Sequence, residues 1–278
     1  MRAMAPQSRP EPVLPADARP RVSIILPAYN EAARIGSALD ELFGYLRRHG
    51  PPREGGRSSA ELGTWEVIVV DDGSTDATAE LVAGRPEYLP AGSEAPPGAM
   101  RLLREPHRGK GGAVRAGMLA ARGEYVLFTD ADLATPPDQL PLLAEALAEH
   151  DVALGSRIQP DGTDRRRSQP GHRRLLGRLF HLLARTWVTG PVPDTQCGFK
   201  GFRARVAQDV FRRQRLDSIV FDAEIIHVAR RRGYSLVNVP VQWTDKRGSR
   251  MHVRPGLAVR VLLDLLRIPL LHRTVARA

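Results

Sequence analysis

Tyr125-Val126-Leu127-Phe128-Thr129-Asp130-Ala131-Asp132 is an apolar run that stops on two carboxylates. An aromatic and aliphatic stretch of this length suits a strand in the middle of a parallel sheet, where helices cover both faces. Residues two apart in an extended segment point the same way, so Asp130 and Asp132 converge beyond the strand's C-terminal end. In an open α/β sheet that edge is where ligands bind. Two carboxylates held so close repel, and a cation between them relieves the repulsion. The stretch therefore reads as a Mg²⁺ or Mn²⁺ site on a diphosphate, or else as a helix N-cap with a spare surface acid ahead of Leu133-Ala134-Thr135-Pro136-Pro137. Alone it leaves both open.

The flanking chain alternates strand and helix. Residues 21–27 form a strand and Ala32–His49 carries apolar residues at helical spacing. A second buried strand, Trp65–Val70, precedes Asp71-Asp72-Gly73-Ser74-Thr75-Asp76, where Ser74 or Asp76 can cap a helix over 77–83. A short strand at 100–103 leads through Arg108-Gly109-Lys110-Gly111-Gly112 into a helix at 113–121. Beyond the central strand come a helix over 141–150 and a strand over 151–157. Amphipathic helices are expected over 173–188 and 257–271, helices over 204–211 and 221–232, and a Val-rich strand over 235–243. Residues 193–200 read as turn. The alternation predicts an α/β protein with a doubly wound, Rossmann-like, mostly parallel sheet flanked by helices. The expected organisation is a disordered tail over 1–20, a single catalytic domain over 21–250, and a C-terminal amphipathic basic helix and tail over 251–278.

Charge is divided along the chain. Residues 1–138 hold 16 Lys+Arg against 19 Asp+Glu, a net of −3, whereas residues 139–278 hold 25 against 12, a net of +13. The acidic half carries the candidate metal site, and the basic half should meet an anion: a phosphorylated substrate, an acidic membrane surface or nucleic acid. The arginines lack interleaved aromatics and no nucleic-acid-binding motif is present, which argues against the last. One cysteine, Cys197, excludes an internal disulfide and fits a reducing compartment. No run approaches the roughly 18 apolar residues of a membrane span, and the start of the chain lacks a signal-peptide core.

The other strand ends carry chemistry as well. Pro27-Ala28-Tyr29-Asn30-Glu31 sits where a first strand-to-helix turn meets a nucleotide, with Tyr29 able to stack on a base and Glu31 to accept from it; a helix start capped by Asn30 is the plainer alternative. Asp71 and Asp72 suit the donors of a base or ribose, or a tight turn. Gly109-Lys110-Gly111-Gly112 lacks Walker spacing, yet glycines opening a helix let backbone N–H groups face a phosphate, with Lys110 adding charge.

Taken in order, Pro-Ala-Tyr-Asn-Glu, Val-Asp-Asp-Gly-Ser-Thr-Asp, Gly-Lys-Gly and Asp-Ala-Asp, each after a strand, resemble the inverting family 2 glycosyltransferases with the GT-A fold. Gly155-Ser156-Arg157, Asp194-Thr195-Gln196-Cys197-Gly198-Phe199-Lys200 and Phe221-Asp222-Ala223-Glu224 are similar to the dolichyl-phosphate glucosyltransferase and polyprenyl-phosphate mannosyltransferase branch. The resemblance implies a nucleotide-sugar site of Pro27, Tyr29, Glu31, Asp71, Asp72, Gly109, Lys110, Asp130, Ala131 and Asp132, with a UDP- or GDP-hexose as donor. Asp130 and Asp132 would hold Mg²⁺ or Mn²⁺. Arg157, with Arg173 or Arg174, would receive the acceptor phosphate, and Asp194, Gln196 and Glu224 would shape the sugar pocket. Lys110 or Arg247 would steady the departing diphosphate. Mannosyl-phosphate synthases commonly carry Gln two residues after the second Asp, where this chain has Ala134; that favours UDP-glucose.

The expected reaction is transfer of a hexose to a polyprenyl or dolichyl phosphate, with inversion. The expected location is cytoplasmic, peripheral on the cytoplasmic face of a membrane, with leucine- and arginine-rich helices lying in an anionic headgroup plane or packing into the protein's own core. A soluble sugar or phosphorylated small molecule is the alternative acceptor.

Overall fold

The computed structural model of the protein describes residues 19–49, 62–90, 98–159, 161, 163, 184–244 and 255–277, with backbone alone at 255–259. In chain order its elements are β1 (Val22–Ala28), α1 (Ile35–Arg48), β2 (Trp65–Asp71), α2 (Thr78–Ala83), β3 (Met100–Arg104), α3 (Lys110–Ala120), β4 (Tyr125–Thr129), α4 (Leu140–Glu149), β5 (Val152–Ser156), β6 (Phe199–Arg203), α5 (Ala204–Arg213), α6 (Phe221–Arg232), β7 (Leu236–Pro240) and α7 (Pro255–Leu271). The strands make one sheet in the order β3-β2-β1-β4-β6-β5-β7. Every pairing is parallel except those of β6, which runs antiparallel between β4 and β5.

The period-two pattern of the central strands sorts the core into two layers. Val22, Ile24 and Leu26 of β1 and Tyr125 and Leu127 of β4 face Leu39, Leu42 and Phe43 of α1 and Leu143 and Leu147 of α4. Ile25, Val126 and Phe128 face the other way, onto Val114 and Met118 of α3, Val210 and Phe211 of α5 and Ile225 of α6. Each such fully buried side chain contributes about 1.5–3 kcal/mol. A third, smaller cluster joins α7 to the rest: Leu265 and Ile268 pack on Ala184, Val188, Val220 and Ala223.

The doubly wound, mostly parallel sheet matches the expectation; several local assignments do not. Residues 199–203 are strand β6, so the turn expected over 193–200 ends at Gly198. The helix expected from 113 begins at Lys110, so Gly111 and Gly112 lie within its first turn. The last strand stops at Pro240 rather than Trp243. Of the helix expected over 173–188, residues 173–183 lie outside the described residues, and Ala184–Thr189 is a short π-helical turn. The tail over 1–18, Arg173, Arg174 and Arg247 also lie outside the described residues.

Candidate active site

Parallel strands share one C-terminal edge, so β1, β2, β4 and β5 deliver Ala28, Asp71, Thr129 and Ser156 to the same side of the sheet. Because β6 is antiparallel, with Phe199 opposite Thr129, the Asp194–Gly198 turn enters at that edge too. This brings Asp130 and Gly198 together: a Cβ at 198 would overlap the Asp130 carboxylate.

Lys110 Nζ lies 2.5 Å from Asp130 Oδ1. Burial works against the Lys110 ammonium, but the charges of Asp130 and Asp222 outweigh it and hold its pKa above the ordinary lysine value. Asp132 is pushed the other way. Burial and the charge of Asp130 raise its carboxyl pKa, although Ala134 N–H donates to its Oδ1 at 3.0 Å. Leu133 follows at φ 49°, closing the Asp-Ala-Asp turn in the left-handed region. The pair thus offers hard oxygen donors whose mutual repulsion a divalent cation would relieve, and Gly198, having no Cβ, leaves room for the Asp130 carboxylate itself. The residues present fit such an ion.

The nucleotide-side residues are laced together. Asn30, at φ 54°, donates its N–H to Ser74 Oγ at 2.9 Å, and its Oδ1 accepts from Thr75 N–H at 2.8 Å. Asn30 is therefore a staple between two turns and not a helix cap. Asp76 lies one residue before Ala77, the N-cap of α2, which has no side-chain capping bond; its Oδ1 accepts from Thr78 N–H at 3.0 Å and its Oδ2 from Ala32 N–H at 3.1 Å, so it ties the two turns together. Glu31 is held by Arg34 in a two-pronged pair, at 2.8 and 2.7 Å. Asp71 Oδ1 accepts from Ser74 N–H at 3.2 Å. Asp72 has an evident structural duty: its two oxygens accept from Arg108 N–H and Gly109 N–H, each at 2.9 Å, and His107 Nδ1 lies 2.8 Å away. Tyr29 is exposed at the mouth and stacks on His107 with ring centroids 4.0 Å apart. Pro27 and Ala131, at the ends of β1 and β4, supply backbone to the same edge.

On the opposite side, Arg157 Nε and Nη2 donate to the buried Asp194 at 2.7 and 2.8 Å, and its backbone N–H to Asp194 Oδ2 at 3.0 Å. Burial opposes this cation, and Asp194 outweighs it, raising its pKa. Gln196 is half-buried in the same turn. Cys197 is buried and its thiol is pushed up to about 12 by burial and by Asp194, which removes it as a nucleophile. Glu224 is placed elsewhere. It is fully buried, and its oxygens accept from Arg215 N–H at 2.8 Å and Leu216 N–H at 2.9 Å, with His272 Nε2 at 2.7 Å. That corrects its expected role: no edge of it is open to a sugar.

A profile of glycosyl transferase family 2 matches residues 23–211, most of the chain. The chain belongs to glycosyltransferase family 2. It is 35% identical over 258 residues to a dolichyl-phosphate beta-glucosyltransferase of Trichomonas vaginalis, covering 90% of this chain and 71% of that protein. It is 36% identical to the Drosophila melanogaster protein of the same name, covering 83% and 69%, and 30% identical to the Homo sapiens one, again 83% and 69%. Among solved structures, glucosyl-3-phosphoglycerate synthase from Mycobacterium tuberculosis in complex with UDP superposes with a TM-score of 0.58 at 20% identity, over 91% of this chain and 81% of that one. The same enzyme with Mn²⁺, UDP and glucosyl-3-phosphoglycerate gives 0.56 at 20% identity, over 94% and 88%. These likenesses show a shared GT-A fold.

In this family 2 member, the motifs include Lys200 and Asp222 but gave no sign that these two support the site from behind. Lys200 is fully buried on β6, donating to Cys197 O at 2.6 Å and Asp222 Oδ1 at 2.5 Å, with its ammonium 5.5 Å from the Phe128 ring centroid. It fixes the 194–198 turn against β4 and ties that turn to the start of α6. His107 and Arg34 were also unforeseen. Only the phenylalanines around Lys200 signalled a buried strand, and a lysine among them hid it.

Proposed function

We propose that the chain transfers glucose from UDP-glucose to a polyprenyl or dolichyl phosphate, with inversion at the anomeric carbon. The observation that carries this reading is the meeting of Asp130, Asp132 and Lys110 at the sheet edge where Asp71 and Asp72 also end. The relatives' names supply the sugar and acceptor class.

Asp130 and Asp132 would hold Mg²⁺ or Mn²⁺. An ion held there would supply positive charge against that developing on the departing diphosphate. Lys110 adds a second positive charge to the same leaving group, and it must exchange part of its contact with Asp130 to do so. Asp71, beside the Tyr29 and His107 rings, receives the nucleoside. Arg157, oriented by Asp194, offers its remaining N–H groups to the acceptor phosphate, whose geometry suits a guanidinium. A phosphate monoester is largely ionised near pH 7, so the nucleophile requires no strong base, and catalysis rests on positioning and electrostatics.

A polyprenyl acceptor demands contact with a bilayer. Among the described residues no helix is long and apolar enough to cross a membrane. Trp187, Leu262, Leu263, Leu266, Leu270 and Leu271 are instead exposed on one side of α7 and the turn beside it, with Arg185, Arg260 and Arg267 also exposed. Trp187 Nε1 donates to Leu266 O at 3.4 Å, which joins the two segments into one face. This supports peripheral seating in the headgroup region. The cytoplasmic leaflet is the proposed location, since its anionic lipids attract arginines at about 1 kcal/mol each.

The test is incubation with radiolabelled UDP-glucose, polyprenyl phosphate and Mn²⁺ or Mg²⁺. Label should partition into organic solvent and remain aqueous when EDTA is present. Label transferred only to soluble phosphorylated acceptors would overturn the lipid assignment.

A further inference from the structure

Residues 214–217 form a clamp on the Gly109–Gly112 turn. Asp217 O accepts from Gly111 N–H at 2.9 Å, and Gln214 Nε2 donates to Gly111 O at 2.9 Å and to Leu216 O at 2.8 Å. The two segments touch so closely that a Cβ at 109 would sit 2.8 Å from Asp217 O, and one at 111 would sit 2.8 Å from Leu216 O. Gly109 also has φ 113°, a conformation that side chains resist. The glycines of this turn are thus required by the clamp, whatever they do for a phosphate.

The clamp has its own support. Glu224, with no exposed surface, accepts the N–H groups of Arg215 and Leu216 and has one further partner, His272. A buried carboxylate stays in place only while its donors satisfy it. His272 lies just past the end of α7 and is itself buried. It therefore links the helix that carries the exposed leucines to the segment that shapes the Lys110 turn. Ser218 Oγ, donating to Asp264 Oδ2 of α7 at 2.9 Å, is a second tie between the same two parts.

We propose that Glu224 is a positioning residue for Lys110, acting through residues 214–217, and that His272 makes this positioning depend on docking of the C-terminal helix. The nucleotide end of the site is then complete only when α7 is seated. The link to leaving-group binding rests on the proposed function; the mechanical link does not.

Two measurements on the full chain test it. In His272→Ala, hydrogen exchange at the Gly111 amide should accelerate about tenfold, together with the amides of Arg215 and Leu216, while β1 and β4 stay protected. His272→Gln, which keeps a donor, should restore protection. An acceleration confined to α7 and 214–217, with Gly111 unchanged, would overturn the inference. The second measurement is a double-mutant cycle on UDP affinity with Mn²⁺ present. His272→Ala should weaken UDP about tenfold in the otherwise native chain and less than twofold in a Lys110→Ala background; additive losses would overturn it. The exchange arm needs no nucleotide. It decides the inference even for a protein that binds no UDP, a result that would instead sink the proposed function.

Discussion

Gly198→Ala should separate folding from catalysis. The new Cβ would lie 2.5 Å from Asp130 Cγ, whereas ordinary contacts begin near 3.4 Å. The carboxylate must retreat by about 1 Å, and a misplacement of that size costs on the order of 100-fold in rate. The retreat itself is cheap, because Asp130 is the mobile end of a side chain that is 37% exposed. The backbone at 198 is not among the positive-φ glycines, so alanine also reduces unfolded-chain entropy, worth roughly 0.4–1 kcal/mol. The expected variant melts within a few degrees of the parent and transfers glucose about 100-fold more slowly. Transfer assays at saturating UDP-glucose, paired with circular-dichroism melts, read both quantities. A variant within threefold of the parent in rate would refute the placement of Asp130, and a collapse in melting temperature would refute the cheap displacement.

Three further outcomes follow from the same geometry. Lys200→Met strands the buried Asp222 and should cost about 3–5 kcal/mol, seen as a fall of roughly 6–20 °C in melting temperature; a loss under 1 kcal/mol in urea titration would contradict the buried pair. Asp132→Asn should abolish transfer yet stabilise the metal-free protein, because the Asp132 pKa is raised in the folded state. The sign follows by linkage: the advantage is absent at low pH, where Asp132 is protonated whether folded or unfolded, and grows as pH rises through its folded pKa. Equal stability of the two proteins at pH 7 without metal would count against the repulsion. Leu266→Glu with Leu270→Glu should release the protein from anionic liposomes in sedimentation while leaving transfer to a detergent-dispersed acceptor within about twofold; unchanged sedimentation would remove the proposed membrane face.

Much of this architecture was legible because each parallel strand is a short apolar run that ends in a polar motif. Tyr125–Thr129 and Trp65–Asp71 announce both their burial and their functional edge. Strand β6 was not legible, since Phe199-Lys200-Gly201-Phe202-Arg203 breaks the apolar pattern with a lysine whose burial depends on Asp222, 22 residues away. The start of α3 was obscured because glycines suggest a loop, whereas here close packing against 216 and 217 demands them. Side-chain employment was harder still. Asp72 and Glu224 sit in motifs that point to ligands, yet both hold backbone N–H groups of neighbouring turns. No pattern within one segment can show which distant amide a carboxylate meets.

In the proposed function, Asp130 and Asp132 grip a divalent cation with a nucleoside diphosphate beside them. Electron paramagnetic resonance of free Mn²⁺, titrated with protein in the presence and absence of UDP, reads that binding. The native chain should remove the free-ion signal at stoichiometric ratio, more tightly with UDP, and the Asp130→Asn/Asp132→Asn double variant should leave it nearly intact. Equal Mn²⁺ uptake by both proteins would strip Asp130 and Asp132 of the metal role.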